Sequence, residues 1–177
     1  MNDRLDHAGA EARFRLVFAQ LGAVTAYARR RGSRDADGIA AEVMAIAWRR
    51  LADVPTDDPR PWLFATARNL VFAEARRAAR VVGADPGSVA AQAPDLFELD
   101  PELASALRSL SPLDREALLL IAWEDLTPSQ AARTLRINPA AFRVRLLRAR
   151  RRLRAALEAG SKGAQHDPAT RLNMERT

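Results

Sequence analysis

The apolar positions of this chain recur at three- and four-residue spacings, a pattern typical of amphipathic helices. The clearest case lies between residues 126 and 153. There Thr127-Pro128 and Asn138-Pro139 each supply an N-cap residue followed by proline, which is favoured at the first helical position. Gln130 completes a capping box with Thr127. The spacing predicts two short helices joined by a turn of about three residues.

The second of these helices has one apolar stripe and one basic face. The stripe, which is predicted to be buried, consists of Phe142, Leu146, Ala149 and Leu153. The opposite face offers small, apolar and arginine side chains, which suit base edges in the DNA major groove, and flanking arginines suit phosphates. The residues predicted to contact DNA are Arg143, Val144, Arg145, Leu147, Arg148 and Arg151. A basic, solvated surface helix is the simpler alternative.

Composition favours an all-α fold, because alanine, leucine and arginine are abundant and β-branched runs are absent. The 177 residues suffice for one medium domain or for two small helical ones, and we expect two. A net charge of +6 implies a polyanionic partner, and nucleic acid fits better than a membrane surface. The sequence contains neither an apolar stretch of membrane-spanning length nor a signal-peptide core, so we expect a cytoplasmic protein without membrane insertion.

Few residues could support catalysis. Cysteine is absent, and the two histidines, His7 and His166, lie in predicted tails. There is also no glycine-rich phosphate loop. We therefore expect no enzymatic activity, no cofactor or metal, and no small-molecule substrate.

Three helices are predicted in the first half, over residues 11–31, 35–52 and 61–82. The arginines at 29–31 suit the negative end of the first helix dipole, and Trp48 of the second helix is expected in the core. The third helix carries a face that combines an aromatic ring with cations and an amide: Arg68, Asn69, Phe72 and Arg76. Such a face can stack and hold unpaired bases, although Phe72 packing on a neighbouring helix is the alternative.

The domain boundaries follow from composition. Residues 83–100 are rich in alanine, glycine and proline and predict a flexible linker, which could span about 60 Å when extended. Helices resume at residue 101, and the pattern is lost after Glu158. We therefore predict a first helical domain over 11–82, a helix–turn–helix domain over 101–158, and a disordered tail over 159–177.

Taken together, these segments resemble the extracytoplasmic-function group of bacterial RNA polymerase sigma factors over about residues 11–158. The resemblance rests on AEVMAIAW at 41–48, PWLFATARNL at 61–70, and the segment 111–153. It implies a first domain that binds the polymerase clamp and the melted −10 promoter element, and a second that binds the −35 element. Core RNA polymerase and promoter DNA are then the expected partners, and an anti-sigma factor is left open.

The resemblance also assigns residues. Those matching the clamp-binding helix are Ile39, Glu42 and Val43. Those matching the −10 segment are Trp62, Arg68, Asn69 and Arg76, to which the face described above adds Phe72. The −35 positions coincide with the basic face of the last helix. This sequence departs from the family's pattern at Gly38, Ala41, Ala73 and Arg136.

The function expected is that of a sigma factor, which directs core polymerase to specific promoters and assists −10 melting. One alternative is a stand-alone helix–turn–helix regulator whose first domain senses a ligand or partner. A second alternative is an RNA-binding or anchoring protein.

Overall fold

The computed structural model describes residues 2–81, 83 and 99–165, with side chains over 8–81, 83 and 99–161. These ranges hold eight α-helices and one 3₁₀ turn, and no strand occurs within them. The helices are α1 (Asn2–Phe18), α2 (Leu21–Arg30), α3 (Ala36–Arg49), α4 (Arg60–Val81), α5 (Pro101–Ser109), α6 (Pro112–Ala122), α7 (Pro128–Leu135) and α8 (Pro139–Gln165). The predicted all-α class is confirmed.

The first helix of the sequence prediction is two helices. The amide of Gln20 donates to the carbonyl of Val17, three residues back, at 3.0 Å, which tightens the last turn of α1 and ends it. A new helix then begins at Leu21. The prediction of one continuous helix over 11–31 is therefore wrong, because the break falls at Ala19 and Gln20, neither of which is a glycine or a proline.

Helix α3 begins at a side-chain cap. The Oδ1 of Asp35 accepts a hydrogen bond from the amide of Gly38 at 2.8 Å. A Cβ atom on residue 38 would lie 2.1 Å from the Oδ2 of Asp35, so this close capping geometry suits glycine. The departure from the family at Gly38 thus has a local structural reason.

The second half starts each of its helices with an N-cap. Asp100, Ser111 and Thr127 cap α5, α6 and α7, and proline follows each cap. Helix α8 runs on to residue 165, so the predicted disordered tail is wrong for 159–165, whose alanine, lysine and glutamine continue the helix. The rest of the tail and nearly all of the expected linker lie outside the described residues.

The two halves of the described chain pack against each other. One hydrophobic cluster joins Tyr27 and Phe64 of the first half to Leu120, Leu126 and Phe142 of the second. Helix α4 lies against α7, the first helix of the helix–turn–helix pair. The halves therefore share a core in this structure.

Candidate nucleic-acid interface

Helix α8 presents the face that the sequence predicted. Phe142, Leu146 and Ala149 are buried, which fixes the helix against α5, α6 and α7. Two apolar side chains point the other way: Val144 is 48% exposed and Leu147 is 60% exposed. They stand among arginines, so this face of the helix combines exposed apolar and cationic side chains.

The predicted arginines of α8 differ in their surroundings. Arg143, Arg148 and Arg151 are exposed. Arg145 is half-buried, and its Nη1 donates to Oδ1 of Asp114 at 3.1 Å. Arg152 pairs with the other oxygen of the same carboxylate, which is almost fully buried. Arg145 thus has a structural partner that the sequence did not reveal.

The turn between α7 and α8 is built from short-range hydrogen bonds. Gln130 and Thr127 form the predicted capping box, with Thr127 N donating to Gln130 Oε1 at 2.7 Å and Gln130 N to Thr127 Oγ1 at 3.3 Å. Oδ1 of Asn138 accepts from the amide of Ala140 at 2.8 Å. Arg136 ends α7 in the left-handed conformation, with φ of 55°, where glycine carries no Cβ penalty.

The predicted base-stacking face of α4 is only partly open to solvent. Asn69 and Arg76 are exposed, whereas Trp62, Arg68 and Phe72 are half-buried. The guanidinium of Arg68 lies 4.5 Å from the centroid of the Phe72 ring, a cation–π contact. Both side chains line a cavity of about 340 Å³, whose other wall is α6. In this arrangement the second half therefore covers part of the face.

The residues predicted to bind polymerase lie on both sides of α3. Ile39 and Val43 are buried in the core, so their side chains are not at the surface of this arrangement. Glu42 is exposed, and Nη2 of Arg49 donates to its Oε1 at 3.2 Å. Of the three predicted residues, Glu42 is therefore the one that lies on the exposed face of α3.

An apolar groove lies beside this exposed face. It has a volume of about 680 Å³ and is lined chiefly by Phe14, Phe18, Met44 and Trp48. Trp48, expected in the core, is 40% exposed and meets the Phe14 ring edge-on at 5.0 Å between centroids. The expectation for Trp48 is wrong because α1 covers only one side of the indole.

A buried charge cluster joins the two halves, and the sequence reading missed it. Arg31 Nη1 donates to Glu124 Oε1 at 2.5 Å, and Arg31 Nη2 lies 3.3 Å from Glu116 Oε1. Arg30 Nη2 reaches the other oxygen of Glu124, also at 2.5 Å. The hydroxyl of Tyr27 donates to Glu116 Oε1 at 3.0 Å. These arginines therefore pair with carboxylates some 90 residues away in the chain, whereas the sequence suggested only a helix-dipole role.

The cluster perturbs the ionisation of its members. Burial raises the pKa of Tyr27 well above its usual value, and the charge of Glu116 raises it further. Burial by itself lowers the pKa of Arg31, but the attraction of Glu116 and its other neighbours outweighs this and the net pKa is raised. Arg31 therefore stays cationic and Tyr27 stays neutral.

Comparisons with known proteins agree with this geometry. Residues 101–153 match the family model of sigma-70, region 4. The structure of CnrH in complex with the cytosolic domain of CnrY is similar, with 29% identity, a TM-score of 0.58, and coverage of 90% of this chain and 99% of that one. The sigma factor RpoE in complex with the anti-sigma factor NepR from Bartonella quintana shares the fold at 24% identity and TM-score 0.59, covering 81% of this chain and 95% of that one. A search of curated proteins finds no significant match.

The helix–turn–helix with its exposed basic face, together with the region 4 match, places the chain among transcription initiation factors that bind DNA. The likeness to CnrH covers 90% of this chain, so it includes the first half as well as the helix–turn–helix pair. Sigma factors, to which the region 4 family belongs, initiate transcription and are not enzymes. Among the described residues, no helix is long and apolar enough to cross a membrane.

Proposed function

We propose that this chain is a sigma factor of the extracytoplasmic-function group, which reads the −35 element with α8 and the melted −10 element with α4, and binds the polymerase clamp with α3. The observation that carries the proposal is the exposed face of Val144, Leu147 and Arg148, which stands opposite the buried stripe of α8. The chain performs no bond chemistry of its own and acts in the cytoplasm, where polymerase and promoter meet.

The face of α8 has the chemistry of base readout. Arg148 can donate two hydrogen bonds to guanine in the major groove, and Val144 and Leu147 can contact thymine methyl groups. Arg143 and Arg151 flank this face and suit phosphates. Arg145 retains about a third of its side-chain exposure beside Asp114, so it supports the helix and can reach the DNA backbone from its edge.

On α4 the proposed −10 residues fall into two groups. Asn69 and Arg76 can meet DNA as the structure stands, because both are exposed. Trp62, Arg68 and Phe72 are half-buried, and the latter two face the second half across the cavity. Phe72 could stack an unpaired base once this cavity is opened, with Arg68 beside it for the backbone.

For polymerase binding we propose the exposed face of α3. Glu42 supplies a polar contact, and the groove containing Phe14 and Trp48 supplies the apolar area that a stable interface needs. Ile39 and Val43 support this face from the core. The departures at Gly38 and Ala41 leave this surface less polar than the family's pattern.

Promoter binding requires the two halves to separate. The −10 and −35 elements lie roughly 25 base pairs apart, or about 85 Å at 3.4 Å per base pair. Halves that share one hydrophobic core cannot reach both elements at that distance. We therefore assign the structure to a closed form and expect the polymerase-bound form to be open.

A regulatory protein is a further expected partner. CnrH, which this chain resembles over most of its length, was solved in complex with the cytosolic domain of CnrY. We propose that an anti-sigma factor binds this chain in the same way, and that it favours the closed form.

The deciding experiment is transcription with purified core polymerase on promoter templates from the source genome, with scrambled −35 templates as the control. The proposal predicts specific initiation that depends on this chain. Failure to bind core polymerase would sink it. Tight binding of a palindromic duplex as a dimer without polymerase would instead support the stand-alone regulator.

A further inference from the structure

We infer that Arg30, Arg31, Glu116 and Glu124 form a charge latch, a device that holds the two halves closed in the isolated chain without any partner. The latch itself rests on contacts within the chain. Only its consequence for DNA binding rests on the proposed function.

The latch bridges the halves at every one of its ion pairs. Both arginines belong to the end of the first half's α2, and both carboxylates belong to the second half, at α6 and just after it. Arg30 donates to both oxygens of Glu124, Arg31 donates to Oε1 of the same carboxylate, and Glu116 accepts from the second amino group of Arg31. Two positive charges are thus matched by two negative ones, and none of these pairs survives separation of the halves.

Burial makes the latch sensitive to the loss of any member. The side chains of Arg31 and Glu124 are only 8% and 2% exposed. A charge at such a site is strongly destabilising when its partner is removed, because the remaining charge is then buried without compensation. In the open form each group returns to water. Removing one member therefore destabilises the closed form selectively.

Neighbouring contacts fix the relative positions of the residues that form the latch. The ring of Tyr27 stacks on Phe64 at 4.9 Å between centroids, and the guanidinium of Arg31 lies 4.1 Å from the Tyr27 centroid. Arg60 Nη2 donates to the backbone carbonyl of Glu124 at 2.7 Å. These contacts fix the position that both arginines must occupy, so the latch forms at one relative placement of the halves.

The closed form treats the two DNA-contacting faces differently. Arg68 and Phe72 line the cavity against α6, and Arg31 and Glu116 of the latch line the same cavity. Val144 and Leu147 of α8 remain exposed. Closing thus hides part of the −10 face and leaves the −35 face available. Latch strength should set how readily the free chain binds single-stranded DNA, with little effect on duplex binding through α8.

The direct test measures the distance between the halves. The chain contains no cysteine, so Ala52→Cys and Ser105→Cys, both at exposed positions, permit unique spin labels for pulsed dipolar spectroscopy. Glu124→Gln keeps the shape of the side chain and removes its charge. We expect it to raise the ratio of open to closed molecules by about 100- to 1,000-fold. The control Asp57→Asn removes an exposed carboxylate that takes no part in the latch, and it should leave the distances unchanged.

A double variant separates opening from misfolding. Arg31→Met combined with Glu124→Gln removes one charge of each sign, so the charges of Arg30 and Glu116 remain balanced although these two residues do not contact each other. It should restore closed distances relative to Glu124→Gln alone, and this non-additivity is the signature of a paired contact. Far-ultraviolet circular dichroism should show the parent helix content in all variants. If Glu124→Gln reduces the helix content, the double variant becomes the test. Restoration of the closed distances and of the helix content by the double variant would support the latch, and failure to restore them would overturn it.

Unchanged distances in a folded Glu124→Gln variant would overturn the inference. The DNA consequence is read separately, by fluorescence anisotropy with a labelled single-stranded oligonucleotide carrying the −10 sequence and with a −35 duplex. We expect Glu124→Gln to strengthen single-strand binding about as much as it increases the open fraction. If the distances lengthen and single-strand binding does not change, the latch stands and the assignment of the −10 face on α4 fails.

Discussion

Arg145 of helix α8 donates a hydrogen bond through Nη1 to Oδ1 of Asp114, in the first turn of α6, at 3.1 Å. Arg152, two turns further along α8, pairs with the other oxygen. A single buried carboxylate thereby holds two points on the same helix. It fixes the rotation of α8 about its axis and hence the residues that lie on its exposed face.

Replacement of Asp114 should remove the ion pairs that hold α8 against α6. Both arginines keep access to water, with side chains 36% and 60% exposed, so they can be solvated once the acid is gone. We expect Asp114→Ala to lower the free energy of unfolding by about 1–3 kcal/mol, the value of hydrogen bonds to charged groups. Urea unfolding measures this. Asp57→Ala, at an exposed loop position, is the control. Equal effects in the two variants would mean that the contacts of Asp114 with the two arginines do not stabilise the fold.

Two adjacent leucines of α8 should respond in opposite ways. Leu146 is 5% exposed and Leu147 is 60% exposed. Leu146→Ala should cost about 2–5 kcal/mol of stability because it leaves a cavity in the core. Leu147→Ala should change stability by no more than about 0.5 kcal/mol. It should weaken binding to a −35 duplex, as measured by anisotropy. A large stability loss in Leu147→Ala would contradict the exposed position.

Arg148 is expected to discriminate between bases. Arg148→Ala should lose about 1–3 kcal/mol of preference for the −35 sequence over a duplex with its guanine replaced. Competition binding with the two duplexes measures the difference. Arg108→Ala, which removes an equal charge from the exposed surface of α5, is the control and should not change the preference. An equal loss of affinity on every duplex would assign Arg148 to phosphate contact.

Phe72 should act on melted DNA. In Phe72→Ala the ring that can stack an unpaired base is lost, at about 1–3 kcal/mol per stacked base. Promoter opening, followed by permanganate reactivity of unpaired thymines, should fall while binding to duplex −35 DNA stays intact. Unchanged opening combined with a lower melting temperature would instead make Phe72 a packing residue that serves the contact with α6.

The backbone of Arg136 adopts a strained conformation, and replacement by glycine would remove the strain. Its left-handed conformation, with φ of 55°, is reached by glycine without Cβ crowding. Arg136→Gly should raise the free energy of unfolding by about 0.5–1 kcal/mol. Arg136→Ala deletes the same side chain and keeps the Cβ, so it should not stabilise. Equal stability of the two variants, measured by urea unfolding, would refute the strain argument.

Local signals accounted for most of the elements. The capping box of Thr127 and Gln130 and the stripe of Phe142 and Leu146 were both readable from spacing, because caps and helical faces depend on residues within one or two turns. The same wheel identified Val144 and Leu147 as the exposed face. The sequence pattern did not predict the break at Gln20, because this break is made by one backbone hydrogen bond between residues of ordinary helix propensity.

The sequence alone thus determined the helices, their starts and the outward face of α8, because these follow from short-range hydrogen bonding and periodic burial. Only the tertiary structure decided that Arg31 meets Glu124, 93 positions along the chain, and that Arg68 and Phe72 look onto α6. Such pairings depend on how the two halves dock. This docking depends on many contacts between residues that are far apart in the sequence, so the spacing of residues within either half does not predict it.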